Sequence, residues 1–152
     1  MDQQEIKKQL KKRLLGLVEA KKTELRNEIW SAKESRDNET KSSVGDKHET
    51  SRSLVQIEID QLEVQLDKTL QQESELSKLP TEKIHTRVEP GSLVFTNREA
   101  YFISIGLGKI EWESQVYYCI SPVSPVGKLL HGKKVGEKVQ FNGQEIEVKG
   151  IG

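Results

Sequence analysis

The sequence predicts an α+β protein: a long amino-terminal antiparallel hairpin of two helices forming a coiled coil, followed by a small β-rich domain with one short helix. Three observations predict it. Composition changes abruptly near Pro80. Residues 1–79 hold no Pro, one aromatic (Trp30) and two glycines (Gly16 and Gly45), whereas residues 80–152 hold all four prolines, nine of the eleven glycines and seven of the eight aromatics. The first half carries apolar residues at helical spacing, and the second carries short apolar runs punctuated by turn signals. The expected domains are therefore 1–79 and 80–152.

The first helical run has Ile6, Leu10, Leu14 and Leu17 at spacings of 4, 4 and 3, and Leu25, Ile29 and Ala32 continue the stripe. The second has Val55, Ile59, Leu62, Leu66 and Leu70 at spacings of 4, 3, 4 and 4. Such narrow stripes bury one edge of a helix rather than a broad face. At 1.5 Å rise per residue each helix would be roughly 50 Å long. The runs break around Asn38–Gly45, a connector short enough to favour antiparallel packing. Charge agrees. Residues 1–26 carry eight Lys/Arg against four Asp/Glu, and residues 54–75 carry one Lys against six Asp/Glu. A hairpin places the basic start beside the acidic end, and flanking charges of opposite sign set orientation in coiled coils. An intermolecular coiled coil would use similar seams.

In the second half, strands are expected at Ser92–Thr96, Ala100–Ile105, Gln115–Ser121, Lys138–Phe141 and Glu145–Lys149. Asn142-Gly143 between the last two is a type I′ hairpin signal. Ser124 can cap a helix, Pro125 suits its first position and Gly132 its stop, which predicts one or two helical turns there. The expected sheet is twisted and antiparallel. Tyr101, Phe102, Trp112, Tyr117 and Tyr118 read as its core. Cys119 lies in an apolar run and reads as buried and inert.

Composition excludes several classes. The 152 residues hold 24 Lys+Arg and 24 Asp+Glu, a formal net charge of zero, which argues against wholesale duplex binding. No apolar run approaches the roughly 20 residues of a membrane helix. One cysteine cannot form an internal disulfide, and no Cys/His cluster has zinc spacing. The start of the chain lacks the apolar core of a secretory signal, so a cytoplasmic protein is expected.

Chemistry concentrates at the hairpin tip, Gly45-Asp46-Lys47-His48-Glu49. Asp46 and Glu49 can be read as a capping box, Asp46 at the N-cap and Glu49 at N3, both favoured by the helix dipole. The same i, i+3 spacing also projects two carboxylates from one face, where they can share a hard cation such as Mg²⁺. So exposed a pair would hold the ion weakly until a partner supplied the remaining ligands.

The hairpin with Gly-Asp-x-x-Glu at its tip, followed by Ile120-Ser121-Pro122-Val123-Ser124-Pro125 and Leu129-Leu130-His131-Gly132-Lys133, resembles the GreA/GreB transcript-cleavage factors over nearly the whole chain. The resemblance implies that the carboxyl-terminal domain is FKBP-like and docks on bacterial RNA polymerase at its secondary channel through Ser124, Pro125, Lys128, Leu129, Gly132 and Lys133. It implies that the hairpin reaches the polymerase active centre, where Asp46 and Glu49 hold a Mg²⁺ shared with the polymerase and help hydrolyse backtracked RNA at its 3′ end. The protein would then be a monomeric accessory factor and not itself an enzyme. The family pattern has an apolar residue after the Asp and Asn after the Glu, where this chain has Lys47 and Thr50. Lys47 reads as a solvated lysine or a contact to RNA phosphate, and His48 as an exposed tip residue. Lys128, Lys133 and Lys134 form a basic cluster that either faces the polymerase or is solvated. Three rivals remain: a Gre-like regulator that occupies the channel without cleavage, a peptidyl-prolyl isomerase, and a coiled-coil adaptor.

Overall fold

The structure, a computed structural model, describes residues 2–40 and 45–152, with the backbone alone for residues 39, 40 and 45–48. The elements are α1 (Gln3–Thr40), α2 (Gly45–Ser77), β1 (Leu93–Thr96), β2 (Ala100–Ile103), β3 (Gly108–Trp112), β4 (Gln115–Ile120), α3 (Pro125–Leu130), β5 (Lys138–Phe141) and β6 (Gln144–Ile151). They form two compact units, Gly16–Ser74 and Met1–Leu15 with Glu75–Gly152. The division therefore falls within the two helices, whereas the change in composition lies at Pro80.

In the helical unit α1 and α2 run antiparallel. Lys22 Nζ donates to Glu73 Oε2 at 2.7 Å, Lys33 pairs with Glu63 at 3.6 Å, and Arg36 Nη1 donates to Gln56 Oε1 at 2.8 Å. Partner numbers fall as α1 advances. Leu25, Ile29 and Leu62 bury one another, with Leu66 packed against them. Two seam positions differ from the expected register. Leu17 is 50% exposed and Val18 only 1%, because Val18 lies four residues beyond Leu14 and stays on its face. On α2, Thr69 is buried and Leu70 only half-buried. Thr69 tolerates burial because its hydroxyl donates back to Gln65 O at 2.9 Å. The helices also run further than expected, so Asn38–Thr40 are helical rather than part of the connector.

Leu62→Ala is expected to cost about 2 kcal/mol of stability, since a buried leucine loses transfer energy and leaves a cavity. A change of a few tenths in chemical denaturation would show that Leu62 does not pack against Leu25 and Ile29.

The other unit is built on a six-stranded sheet in the order β3-β4-β2-β1-β6-β5. It is mixed, not wholly antiparallel. β2 and β4 pair in parallel, Ala100 against Tyr117 through Ile103 against Ile120. The chain leaves β2, forms β3 outside, and returns through a tight turn as β4 between them, so β4 must run along β2. β3 is a strand that the expected list lacks. Its turn, Glu113-Ser114, has positive φ at both residues (49° and 67°), the geometry of a type I′ turn without Asn-Gly to announce it. Asn142 and Gly143, at 51° and 73°, make the turn expected of them.

α3 starts as expected. Ser124 Oγ accepts from Gly127 N at 3.2 Å, Pro125 occupies the first turn, and Gly132 beyond the end has φ of 75°. Leu130 of α3 joins Val88, Val94, Tyr101, Ile103, Val139, Ile146 and Val148 in the core. Phe102, Tyr117 and Cys119 are buried too, and burial pushes the Cys119 thiol up to about 12, so it holds almost no thiolate. Tyr118 is half-buried but packs against that core, whereas Trp112 departs from it. It is half-buried, with the Arg13 guanidinium 5.0 Å from its ring centroid and Arg13 Nη1 donating to Glu111 O.

Residues 80–90 form a polar strap against the first turns of α1. Lys7 Nζ, fully buried, donates to Lys83 O at 2.7 Å, and Gln4 Nε2 donates to Glu82 O at 2.7 Å. His85 is buried beside them with Nδ1 2.6 Å from Glu89 Oε1, and its Nε2 has no protein partner. Burial holds the imidazole below its ordinary 6.5, aided by repulsion from Lys7 and opposed by Glu89. A histidine depressed in the folded state contributes stability that is complete above its unfolded value and lost as pH falls from there through its folded value. The midpoint of thermal unfolding is therefore expected to fall between about pH 7.5 and about pH 5.5. His85→Gln should flatten that slope. An equal slope in the variant would assign the titration to another group.

Candidate functional site

The tip acids sit on the first two turns of α2. The helix is described from Gly45, and a capping box over Asp46 and Glu49 rests on an Asp46 side chain outside the described residues. Asp46 and Glu49 are three residues apart on that helix. Glu49 is exposed, and the side chains of Asp46, Lys47 and His48 lie outside the described residues, as does the pairing of Asp46 with Glu49.

Around Glu49 the fold brings together residues that the sequence reading did not join. Arg36 from α1 and Arg52, Ser53 and Gln56 from α2 line an open cleft of about 500 Å³ with Glu49. Arg36 is held in place by Gln56 Oε1 at 2.8 Å and Asp37 Oδ1 at 3.3 Å, and Gln56 in turn donates to Asp60 Oδ1 at 3.0 Å. Arg52 is exposed. A signal existed. In an antiparallel hairpin with Arg36 opposite Gln56, Arg52 lies one helical turn nearer the connector, within reach of the same open cleft.

Two guanidinium groups beside one carboxylate can grip phosphate oxygens, with the carboxylate left to accept a hydrogen bond. The described donors do not make a Mg²⁺ site by themselves, because one exposed carboxylate flanked by two cations lacks the oxygen ligands a hard ion needs. Among the described residues no three His, Cys, Asp or Glu side chains gather as a metal site.

The Ser124–Lys133 segment forms the second candidate surface. Pro125, Lys128 and Leu129 are exposed on it, whereas Ser124, Gly132 and Lys133 are half-buried and structural. Ser124 Oγ donates to Ser121 O at 2.6 Å while capping α3. The backbones of Gly132 and Lys133 clamp Val88 on both sides, Gly132 N to Val88 O at 2.8 Å and Val88 N to Lys133 O at 2.9 Å. Val123 and Val135 are further exposed apolar residues of this unit, and Lys134 is exposed. In the same unit, Leu76, Leu79, Pro80, Pro90, Ile105 and Pro122 line a mostly apolar cavity of about 330 Å³, which no sequence motif announced.

No family model matches the chain. No curated protein matches it either. Among solved structures the chain is similar to one described as the transcription factor Gfh1, at 20% identity over 93% of this chain and 92% of that one, with a TM-score of 0.34. A superposition that loose does not bear on function. No described helix is long and apolar enough to cross a membrane.

Proposed function

We propose that this protein is a Gre-like transcription elongation factor that binds bacterial RNA polymerase at its secondary channel and stimulates cleavage of backtracked nascent RNA. The observation that carries the reading is the cleft near the start of α2, which exposed Glu49 lines together with Arg36 and Arg52 on a helical hairpin. The tip motif supports it, as does the exposed Pro125, Lys128 and Leu129 face. Asp46 and Glu49 would join ligands supplied by the polymerase around a shared Mg²⁺, which would activate water and stabilise the leaving oxygen. Within this chain, Glu49 would orient the water by accepting a hydrogen bond from it, and Arg36 and Arg52 would hold the RNA phosphate. The α3 face would provide docking.

The test is cleavage of RNA in a stalled complex of the cognate polymerase, with and without this protein. Retention on polymerase without any stimulated cleavage would favour a second reading, a regulator that occupies the channel. The specific observation behind that alternative is that Arg36 and Arg52 line the cleft with Glu49, where they would oppose a metal ion.

Under the first reading Arg52→Ala should lower cleavage about tenfold, the loss expected for one charge-assisted hydrogen bond to phosphate. Stability should not change, because Arg52 is exposed. Undiminished cleavage by this variant would remove Arg52 from the phosphate contact.

A further inference from the structure

α2 carries a second apolar seam that the hairpin does not use. Leu54, Ile57, Gln61, Val64 and Lys68 recur at spacings of 3, 4, 3 and 4, the register of the a/d line in a coiled coil. At about 100° of turn per residue, this line lies roughly 160° around the helix from Ile59, Leu62 and Leu66. Burial confirms the separation. Ile59 and Leu62 are buried, whereas Leu54, Ile57 and Val64 are 63%, 53% and 69% exposed. Single exposed apolar side chains are ordinary, but three on one seam with polar flanks mark a surface that associates.

Charge indicates what it associates with. Residues 54–67 contain Glu58, Asp60, Glu63 and Asp67 and no Lys or Arg, and Lys68 at the end of the seam is its one cation. Asp60 and Asp67 fall along one flank of the seam and Glu58 along the other, and all three are exposed. Two copies of α2 would therefore set carboxylates against carboxylates. α1 of a second copy offers no match, because its exposed large apolar residues, Leu17 and Trp30, stand thirteen positions apart on different sides of the helix. We propose that the outer face of α2 docks an amphipathic helix whose apolar a/d seam is flanked by Lys or Arg. The occupant's apolar residues pack against Leu54, Ile57 and Val64. Its basic flanks meet Asp60 and Asp67 on one side and Glu58 on the other. This surface is separate from the Glu49 cleft, and the proposal does not depend on the role given to that cleft.

The test uses the full chain and two labelled synthetic helices of about three heptads, both with Leu at a and d, one with Lys and one with Glu at e and g. Fluorescence anisotropy should show saturable binding of the Lys helix, at least about tenfold tighter than its Glu twin and weakened by added salt. Replacing Ile57→Lys and Val64→Lys together should cut that affinity by at least about tenfold while leaving the helical circular dichroism unchanged, because both residues are exposed. The proposal is overturned by no binding, by equal binding of the two helices, or by binding that survives the double variant. Sedimentation of the free protein completes the test. A dimer that the double variant abolishes would give the seam to a second copy and equally overturn it.

Discussion

Gly127→Ala is expected to destabilise the sheet unit by about 3 kcal/mol or more, near the upper end of what overpacking costs. A Cβ at Gly127 would stand 2.2 Å from Ser121 O, 2.8 Å from Ser124 Oγ and 3.2 Å from Pro122 C. Two of those neighbours are backbone atoms, so no side-chain rotation relieves the clash. The third is the capping hydroxyl, which already spans Gly127 N and Ser121 O. Moving it away would forfeit the cap, a loss of about 1 kcal/mol in its own right. α3 cannot slide off instead, because Leu130 is fully buried in the core. Gly106→Ala is the control, since a Cβ there meets nothing within 4 Å. Its unfolding midpoint should stay within a degree or two of wild type, or rise slightly as the unfolded chain loses freedom. Under the proposed function, retention on polymerase should follow the same split, failing for Gly127→Ala and persisting for Gly106→Ala. A Gly127→Ala protein that melts with wild type would show that the Ser121–Gly127 approach is not as close as described.

That approach also marks how far the chain could be read in advance. Ser124, Pro125 and Gly132 announce α3 because capping, a fixed φ and a positive φ are properties of single residues. Asn142-Gly143 announces its hairpin for the same reason. Glu113-Ser114 adopts the same positive φ values without the residues that prefer them, so β3 and its pairing with β4 stayed hidden. The parallel pairing of β2 with β4 follows from that hidden strand, and no local pattern encodes it. Along α1 the periodicity was legible, but the choice between Leu17 and Val18 was not. Both are apolar, and a one-residue difference in phase is settled by what the partner helix offers. Gly127 looks unremarkable in sequence, and only the proximity of Ser121 explains why no larger residue fits. At the tip the carboxylates were legible as a motif. The arginines were not, because Arg36 and Arg52 belong to different helices and meet only once the hairpin register is known.

Asp46→Asn and Glu49→Gln are each expected to lower stimulated RNA cleavage by on the order of 10²-fold, the loss typical when developing charge is deprived of its stabiliser. Both substitutions keep shape and remove one negative charge. A capping role predicts a different result for the first, because Asn caps a helix as well as Asp does. A purely structural account therefore predicts undiminished cleavage from Asp46→Asn. Under the proposed function, binding to polymerase should persist in both variants, since the docking surface proposed on α3 is untouched. Thermal stability should also hold for Glu49→Gln, whose side chain is exposed. Raising Mg²⁺ should partly restore cleavage if the variants fail by low occupancy of a shared ion, and should not if they fail to place the attacking water. The wild-type protein is the decisive control. If it binds its polymerase and never stimulates cleavage at any Mg²⁺ concentration, the carboxylates are not catalytic. The cations at Arg36, Lys47 and Arg52 would then belong to a protein that fills the channel and holds it closed.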